Sequence, residues 1–300
     1  MKINTVLGKI DAQNVGVTLP HEHICCYYEP FYQICKEKYI DKGMLENVAV
    51  EYLTYMKNTY GLNTLIDCTP INIGRDVDLL KAISNRTQIN IICSTGFYYT
   101  EEPLVNAITK EDIAQKIIYD VLHYSNAGVL KIAVENKFLS SYDKKIIDAV
   151  SLVQNELNLP ICVHTNANNQ NGKMVLERLL ANGIRPSTIT IGHLSDANDL
   201  SYVEEILKSG CYVGFDRIYN EDDEYMKNKA QGISCLSEKG YKNKILISHD
   251  EQIFNGFDKA CEIKKYNVYE RIFSRLLPHL EEDALEQFFC KNTVNMLCCE

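Results

Sequence analysis

The sequence has no excess of positive charge. Its 40 acidic residues outnumber 31 basic ones, for a formal net charge of −9. A surface built for nucleic acid or an anionic membrane is therefore not expected, although a local basic pocket for a phosphate is compatible with this balance. Long apolar runs are also missing. None approaches the ~20 residues of a membrane span, and Met1-Lys2-Ile3-Asn4 opens no apolar signal region, so a cytoplasmic protein is expected. Twelve cysteines contain no CxxC pair. The neighbours Cys25-Cys26 and Cys298-Cys299 are adjacent, which disfavours bridging, and Cys68, Cys93, Cys162 and Cys211 lie in apolar runs where cysteine acts as a small hydrophobe. Reduced thiols are the expectation. No glycine-rich phosphate loop follows the first apolar run, which argues against an open nucleotide-binding sheet. Low-complexity segments are absent too.

What is present is ordinary globular material, 46% hydrophobic and 24% charged. Apolar, β-branched runs recur near 15–19, 64–68, 89–94, 129–134, 160–164, 188–193, 211–215 and 245–248. Helical periodicity fills the gaps. From Asp143 to Asn158, residues Ile146, Ile147, Val150, Val153 and Leu157 share one face, and 112–124 and 200–209 behave similarly. Eight strands alternating with helices, without a break in composition, predict one (β/α)8 barrel, a TIM barrel occupying 1–300 as a single α/β domain. Residues 266–300 read as helical and are expected to pack across the barrel's outside or base. The longest irregular stretches, 24–42, 95–109 and 251–265, follow strands and are expected to form the substrate mouth.

Six polar residues interrupt this apolar pattern. His21 and His23 close the first run with Glu22 between them. Lys131 stands inside Val129-Leu130-Lys131-Ile132. His164, His193 and Asp250 close or follow three later runs. Residues i and i+2 of a strand face the same side, so His21 and His23 both point at the barrel axis while Glu22 points away. All six fall at the C-terminal ends of strands, where barrel enzymes place their chemistry. A lysine in an apolar strand is costly to bury charged; burial lowers its pKa, and a neutral amine adds CO₂ to become a bidentate carbamate. Four imidazoles, a carboxylate and a bridging carbamate suit two borderline-soft divalent ions, Zn²⁺ before Co²⁺ or Mn²⁺. Taken singly, each residue has a plainer reading. Lys131 reads also as a Schiff-base or snorkelling lysine, and Asp250 as a helix cap. Their joint position at one end of successive strands favours metal. His123 and His279 lie in helical stretches and are read as ordinary residues, and His249 as a support for Asp250.

These residues resemble those of a known family. Val6-Leu7-Gly8-Lys9-Ile10 and the run from Gly16 through Thr18-Leu19-Pro20-His21-Glu22-His23 to Ile24 look like the opening signature of the phosphotriesterase family, in the amidohydrolase superfamily. Ala127-Gly128-Val129-Leu130-Lys131 resembles its strand with the carboxylated lysine. Val163-His164-Thr165, Ile191-Gly192-His193, Gly214-Phe215-Asp216-Arg217 and Ser248-His249-Asp250 resemble its later motifs, and Cys290-Lys291-Asn292-Thr293 its C-terminal helix. The resemblance implies that His21, His23 and Asp250 hold one metal, that His164 and His193 hold the other, and that carboxylated Lys131 bridges them. It also implies a homodimer. Thr95-Gly96-Phe97-Tyr98 and Arg217 resemble the lactonase branch, where a tyrosine and an arginine line the site.

The expected activity is therefore lactone hydrolysis by a hydroxide held between the ions. Asp250 moves the proton, and Arg217 and Tyr98 orient the substrate. The substrate is a small molecule, either a sugar lactone, with or without phosphate, or an acyl-homoserine lactone. The polar sugar lactone is preferred because 251–265 carries few large apolar groups. Lys242 or Lys244 is expected to join Arg217 in receiving an anionic group. Asp216 is expected to support its loop, and Arg217 reads alternatively as its partner or that of Asp222. Phosphotriester or phosphodiester hydrolysis at the same centre is the alternative, and a catalytically silent binding barrel is a third reading.

Overall fold

The computed structural model describes residues 1–35, 40–257 and 261–299. It begins with a feature the apolar pattern did not reveal, an antiparallel hairpin of β1 (Lys2–Thr5) and β2 (Gly8–Asp11). The main sheet has nine strands: β3 (Val17–Cys26), β4 (Leu62–Asp67), β5 (Asn90–Phe97), β6 (Val129–Ala133), β7 (Ile161–His164), β8 (Ile189–Ile191), β9 (Tyr212–Phe215), β10 (Ile245–Ile247) and β11 (Gln252–Asn255). Each of the eight expected runs lies in or overlaps one of β3 to β10. Strands β3 to β10 pair in sequence order, all parallel, and β11 returns to pair with β3. β10 and β11 are two pieces of one closing strand. Its first half bonds to β9, and its second half joins β3 through Asp250 N–H to His21 O (3.1 Å) and His23 N–H to Glu251 O (3.0 Å). The sheet thus curls into the (β/α)8 barrel.

Helices fill the crossovers. α1 (Glu29–Cys35) and α2 (Lys42–Tyr60) follow β3, α3 (Val77–Thr87) follows β4, and α4 (Pro103–Ala107) and α5 (Lys110–Asp120) follow β5. α6 (Ser141–Leu157), α7 (Gly172–Ala181), α8 (Leu200–Leu207) and α9 (Asp223–Leu236) follow β6 to β9. The expected helix at 143–158 is α6, started by a capping box in which Ser140 and Asp143 satisfy each other's backbone N–H. Its Ile146, Ile147, Val150 and Val153 are buried. The stretches read as irregular are more ordered than expected: 24–42 contains the end of β3 and α1, 95–109 contains α4, and 251–265 contains β11. Residues 36–39 and 258–260 of these stretches lie outside the described residues.

The C-terminal part is broken into short turns, including Ala284–Glu286 and Asn292–Leu297, rather than one helix. It covers the base. Asn292 Nδ2 donates to Ile245 O (2.6 Å) at the start of β10. Met296, Leu297 and Cys298 join Ile3, Val129, Cys162 and Tyr212 in an interior cluster distinct from the main core between sheet and helices. No helix among the described residues is long and apolar enough to cross a membrane.

Candidate metal centre

The curled sheet brings the six singled-out residues together at the C-terminal ends of the strands. His21, His23, Lys131, His164 and His193 are at most 5% exposed, and Asp250 is 8% exposed. His21, His193 and Asp250 each offer a ligand atom within 4.8 Å of the others. Lys131 Nζ lies 2.7 Å from His21 Nε2. Asp250 lies against three of the rings: its Oδ1 is 3.1 Å from His23 Nε2 and 3.5 Å from His21 Nε2, and its Oδ2 is 3.7 Å from His193 Nδ1. Its Oδ2 accepts from Arg217 Nε (3.1 Å).

The backbone is bent to achieve this. His193 (φ 65°) and Asp250 (φ 57°) both occupy the left-handed region, which costs a residue with a side chain energy and concentrates at functional sites. Lys131 needs a different accommodation. Gly96 of β5 pairs with it, and a Cβ at that position would stand 2.1 Å from the Lys131 carbonyl oxygen. Only glycine permits that approach.

Protons on the rings can be assigned from their partners. Asp216 accepts from Nδ1 of both His21 (2.6 Å) and His193 (3.0 Å), so those protons sit on Nδ1 and both Nε2 lone pairs face inward. Glu135 Oε2 faces His164 Nε2 at 3.0 Å, which places that proton outward and leaves Nδ1 as a lone pair. His164 Nδ1 and His193 Nε2 then confront each other at 2.8 Å. Two imidazole lone pairs at that distance repel unless a cation lies between or beside them. The donor set therefore fits a metal on its own chemistry, with carboxylates fixing the ring tautomers.

The charges depart from this arrangement at His21, where the surrounding acidic groups favour the imidazolium until a cation takes the place of the Nε2 proton. Burial and the Lys131 charge push the His21 pKa down, but Cys162, Asp216 and Asp250 outweigh them and raise it to about 9. Burial and neighbouring His193 drive His164 down to about 3. Burial acts to raise the Asp250 pKa, yet His193, His21 and His23 hold the carboxyl well below the usual range. Lys131 corrects an expectation. Burial acts to lower its pKa as expected, but Cys162, Cys68, Asp250 and Asp216 together outweigh it, and the ammonium form is favoured in a pocket without cations.

A cleft of about 520 Å³ opens above these residues, lined among others by Tyr98, Arg217, Tyr219, Gln252, Asn255 and Lys264. The Tyr98 ring stands edge-on to His164, 5.4 Å between centroids. Arg217 pairs with Asp250 and with Asp196 (Nη1 to Oδ2, 3.3 Å), not with Asp216 or Asp222. Lys242 and Lys244 do not reach the cleft. Both precede β10, and the parallel strand carries its N-terminal end to the base. Lys242 pairs with Glu281 and Asp283, and the Lys244 ammonium lies 4.1 Å over the Tyr212 ring. Besides Arg217 and the buried Lys131, the cleft is lined by the cation of Lys264, held loosely by Glu251 at 3.7 Å.

Four supporting residues escaped the sequence reading or were misread. Asp216 binds two histidine rings rather than its loop. Glu135 follows β6 and holds both His164 and Asn166 Nδ2 (2.6 Å). Its only signal was a carboxylate four residues after Lys131. Thr69 Oγ1 meets His23 Nδ1 at 2.8 Å. Glu22 does point away from the axis, but it is fully buried. Its Oε1 accepts from Ser248 Oγ (2.7 Å), His249 N (2.8 Å) and His249 Nδ1 (2.7 Å), and its Oε2 accepts from Glu251 N (3.2 Å). Glu22 thereby fixes the backbone on both sides of Asp250, with His249 as its partner. His123 is exposed, and His279 pairs with Asp223; both lie apart from the centre.

Comparison with known proteins agrees with this geometry. The model of the phosphotriesterase family matches residues 1–296. An aryldialkylphosphatase of Saccharolobus solfataricus is 31% identical over 82% of this chain and 80% of its own length. A phosphotriesterase homology protein of Mycobacterium tuberculosis is 28% identical over 83% and 80%. An N-acetyltaurine hydrolase of Homo sapiens is 24% identical over 97% and 96%. With the barrel, the inward-facing imidazoles and a match along nearly its whole length, the chain belongs to the phosphotriesterase family and is a metal-dependent hydrolase.

Proposed function

We propose that this hydrolase opens the ring of a polar lactone, a sugar lactone with or without a phosphate. His21, His23 and Asp250 would hold one divalent ion, His164 and His193 would hold a second, and a carbamate on Lys131 would serve as a ligand to both. Two such ions, Zn²⁺ before Co²⁺ or Mn²⁺, supply Lewis acidity and an activated water at neutral pH. Asp250 takes a proton from the water as its oxygen bonds to the lactone carbonyl carbon, and gives that proton to the ring oxygen as its bond to the same carbon breaks, leaving a hydroxy acid. Arg217 has five N–H donors. Asp250 and Asp196 engage Nε and Nη1, and the remaining donors orient the substrate beside Tyr98.

The observation that carries the substrate class is the lining of the cleft. Tyr98, Tyr99, Thr100, Gln252, Asn255 and Lys264 present hydrogen-bonding groups, and Pro70, Ile73 and Phe257 are the apolar side chains among them. An acyl chain finds little apolar surface there, whereas ring hydroxyls or a phosphate find donors. Lys264 takes the anion-receiving role first expected of Lys242 or Lys244. Phosphotriester hydrolysis is the second reading, favoured by the relative named an aryldialkylphosphatase.

A panel of sugar lactones, acyl-homoserine lactones and aryl phosphotriesters, assayed on metal-loaded protein, tests this. The expected order places sugar lactones first. Arg217→Ala is expected to lower kcat/KM for the best lactone about 10–100-fold, or ~1.4–2.7 kcal/mol, while triester hydrolysis changes much less. A wild type that prefers triesters to every lactone replaces the proposal with its alternative. Equal loss of both activities makes Arg217 structural.

Glu135 offers an independent check. Its carboxylate sets the His164 tautomer, so Glu135→Ala is expected to weaken retention of the ion on His164 about 10–100-fold. Competition against a chelator measures this. Unchanged retention removes Glu135 from the centre.

A further inference from the structure

Two thiols on the base side of the imidazoles play no part in that reaction. Cys68 directly follows β4 and Cys162 lies on β7; both are buried thiols outside any disulfide. Their Sγ atoms are 3.9 Å apart. Cys162 Sγ also lies 3.9 Å from Lys131 Nζ and 3.9 Å from His21 Nδ1, and Cys68 Sγ lies 3.8 Å from the Pro20 carbonyl oxygen. Donor atoms of His21, Cys68 and Cys162 fall within 4.8 Å of one another.

We propose that Cys68 and Cys162 form a separate, sulfur-based site for a thiophilic cation of the class of Cd²⁺, Cu⁺ or Zn²⁺. Geometry favours this over the other use of a cysteine pair. A tetrahedral ion with metal–sulfur bonds of about 2.3 Å sets its two sulfurs about 3.8 Å apart. The observed separation accommodates such an ion with almost no movement. A disulfide demands much more. β4 and β7 are separated by β5 and β6, three strand spacings of about 4.8 Å each. Even across the chord of a curled sheet this keeps the Cα atoms beyond the roughly 7 Å that a disulfide spans.

Ligand softness separates this site from the six residues above it, whose ligand atoms are nitrogen and oxygen; the one thiol beside them in the lining of the cleft is Cys26, next to His23. Thiolates select soft ions over hard ones. Charge also balances: a divalent ion displaces two thiol protons and forms two metal–sulfur bonds, and the dithiolate neutralises it within the barrel. The Pro20 carbonyl oxygen, 3.8 Å from Cys68 Sγ, stands near enough to add a further donor. The inference is independent of the lactone reading, because it concerns donors that reading does not use.

The test uses the full chain loaded first with Mn²⁺, which favours oxygen and nitrogen donors, and then titrated with Cd²⁺. The readout is the ultraviolet thiolate-to-cadmium charge-transfer band, taken as the difference between wild type and variant so that other thiols, Cys26 beside His23 among them, cancel. Cys68→Val and Cys68→Ser are each expected to bind one fewer cadmium ion per chain and to lose the corresponding part of the band, with Mn²⁺ content unchanged. Equal cadmium uptake and superimposable bands in wild type and either variant overturn the proposal. A measurement without substitution stands beside it. A wild-type crystal soaked in Cd²⁺ should show an anomalous peak within bonding distance of both Sγ atoms, and no peak there overturns the site.

Discussion

Lys131→Ala is expected to fold, to keep one divalent ion per chain where the wild type keeps two, and to lose most of its hydrolase activity. The loss should exceed the about 10–100-fold cost of removing an outer partner of a metal ligand, because the lysine carbamate is proposed as a ligand to both ions. Lys131 is 1% exposed, so its side chain reaches only the interior. Without cations, the acidic groups around it favour the ammonium, and an ammonium does not add CO₂. Divalent cations reverse the local field and favour the neutral amine and then the carbamate anion. Metal uptake and carboxylation are therefore expected to be linked: ions bind more weakly when CO₂ is stripped from the buffer. A short carboxylic acid fits the space left by Lys131→Ala, and adding one should restore part of both the second ion and the activity. Elemental analysis alongside kinetics reads all of this. A variant that keeps two ions and full activity removes Lys131 from the centre, as does a fully active wild type whose lysine carries no CO₂.

The parts of this centre that were legible in the sequence share a physical cause. A polar residue ending an apolar strand stands out against its neighbours, and parallel strands carry all such residues to one end of the barrel. His164 and His193 are visible for that reason, as is the alternation that aims His21 and His23 inward. Asp216 was equally visible but misread, because its two partners come from β3 and the end of β8 and meet only after the sheet curls. Strand alternation gives Glu22 its direction but not its task. Its burial depends on the segment around Tyr269 and Ile272, where Ile272 N donates to His249 Nε2 (3.1 Å), and nothing near residue 22 encodes that cover. Lys242 and Lys244 are close to Asp250 in sequence, yet a strand of only Ile245–Ile247 carries them to the opposite end. Lys264 was missed because its approach to the cleft depends on β11, whose pairing with β3 has no local apolar signature. The lysine's electrostatics were misjudged in a similar way: burial is readable from one strand, but the anionic groups that oppose it come from several.

Asp250→Asn isolates the proton transfer. The substitution preserves shape and one carbonyl oxygen, and the supports of this position stay in place. The backbone N–H of residue 250 still donates to His21 O, and Glu22 still holds residues 248, 249 and 251. What disappears is a carboxylate whose pKa the surrounding imidazoles hold well below the ordinary range against the effect of burial. An amide takes up no proton at neutral pH, so kcat is expected to fall about 10²–10⁴-fold, the usual span for a general acid–base group. The same carboxylate is proposed as a metal ligand, so each sample's ion content must be measured and the comparison made between samples with two ions. The pH profile then separates the roles. A base must be unprotonated, so wild-type activity is present above the pKa of Asp250 and is lost as pH falls through it. That acid limb should be absent from the Asn variant, whose low rate is left with only the limbs of other groups. Retention of two ions with near-normal kcat, or an unchanged acid limb, would take the proton transfer away from Asp250 and leave it the single task of holding metal.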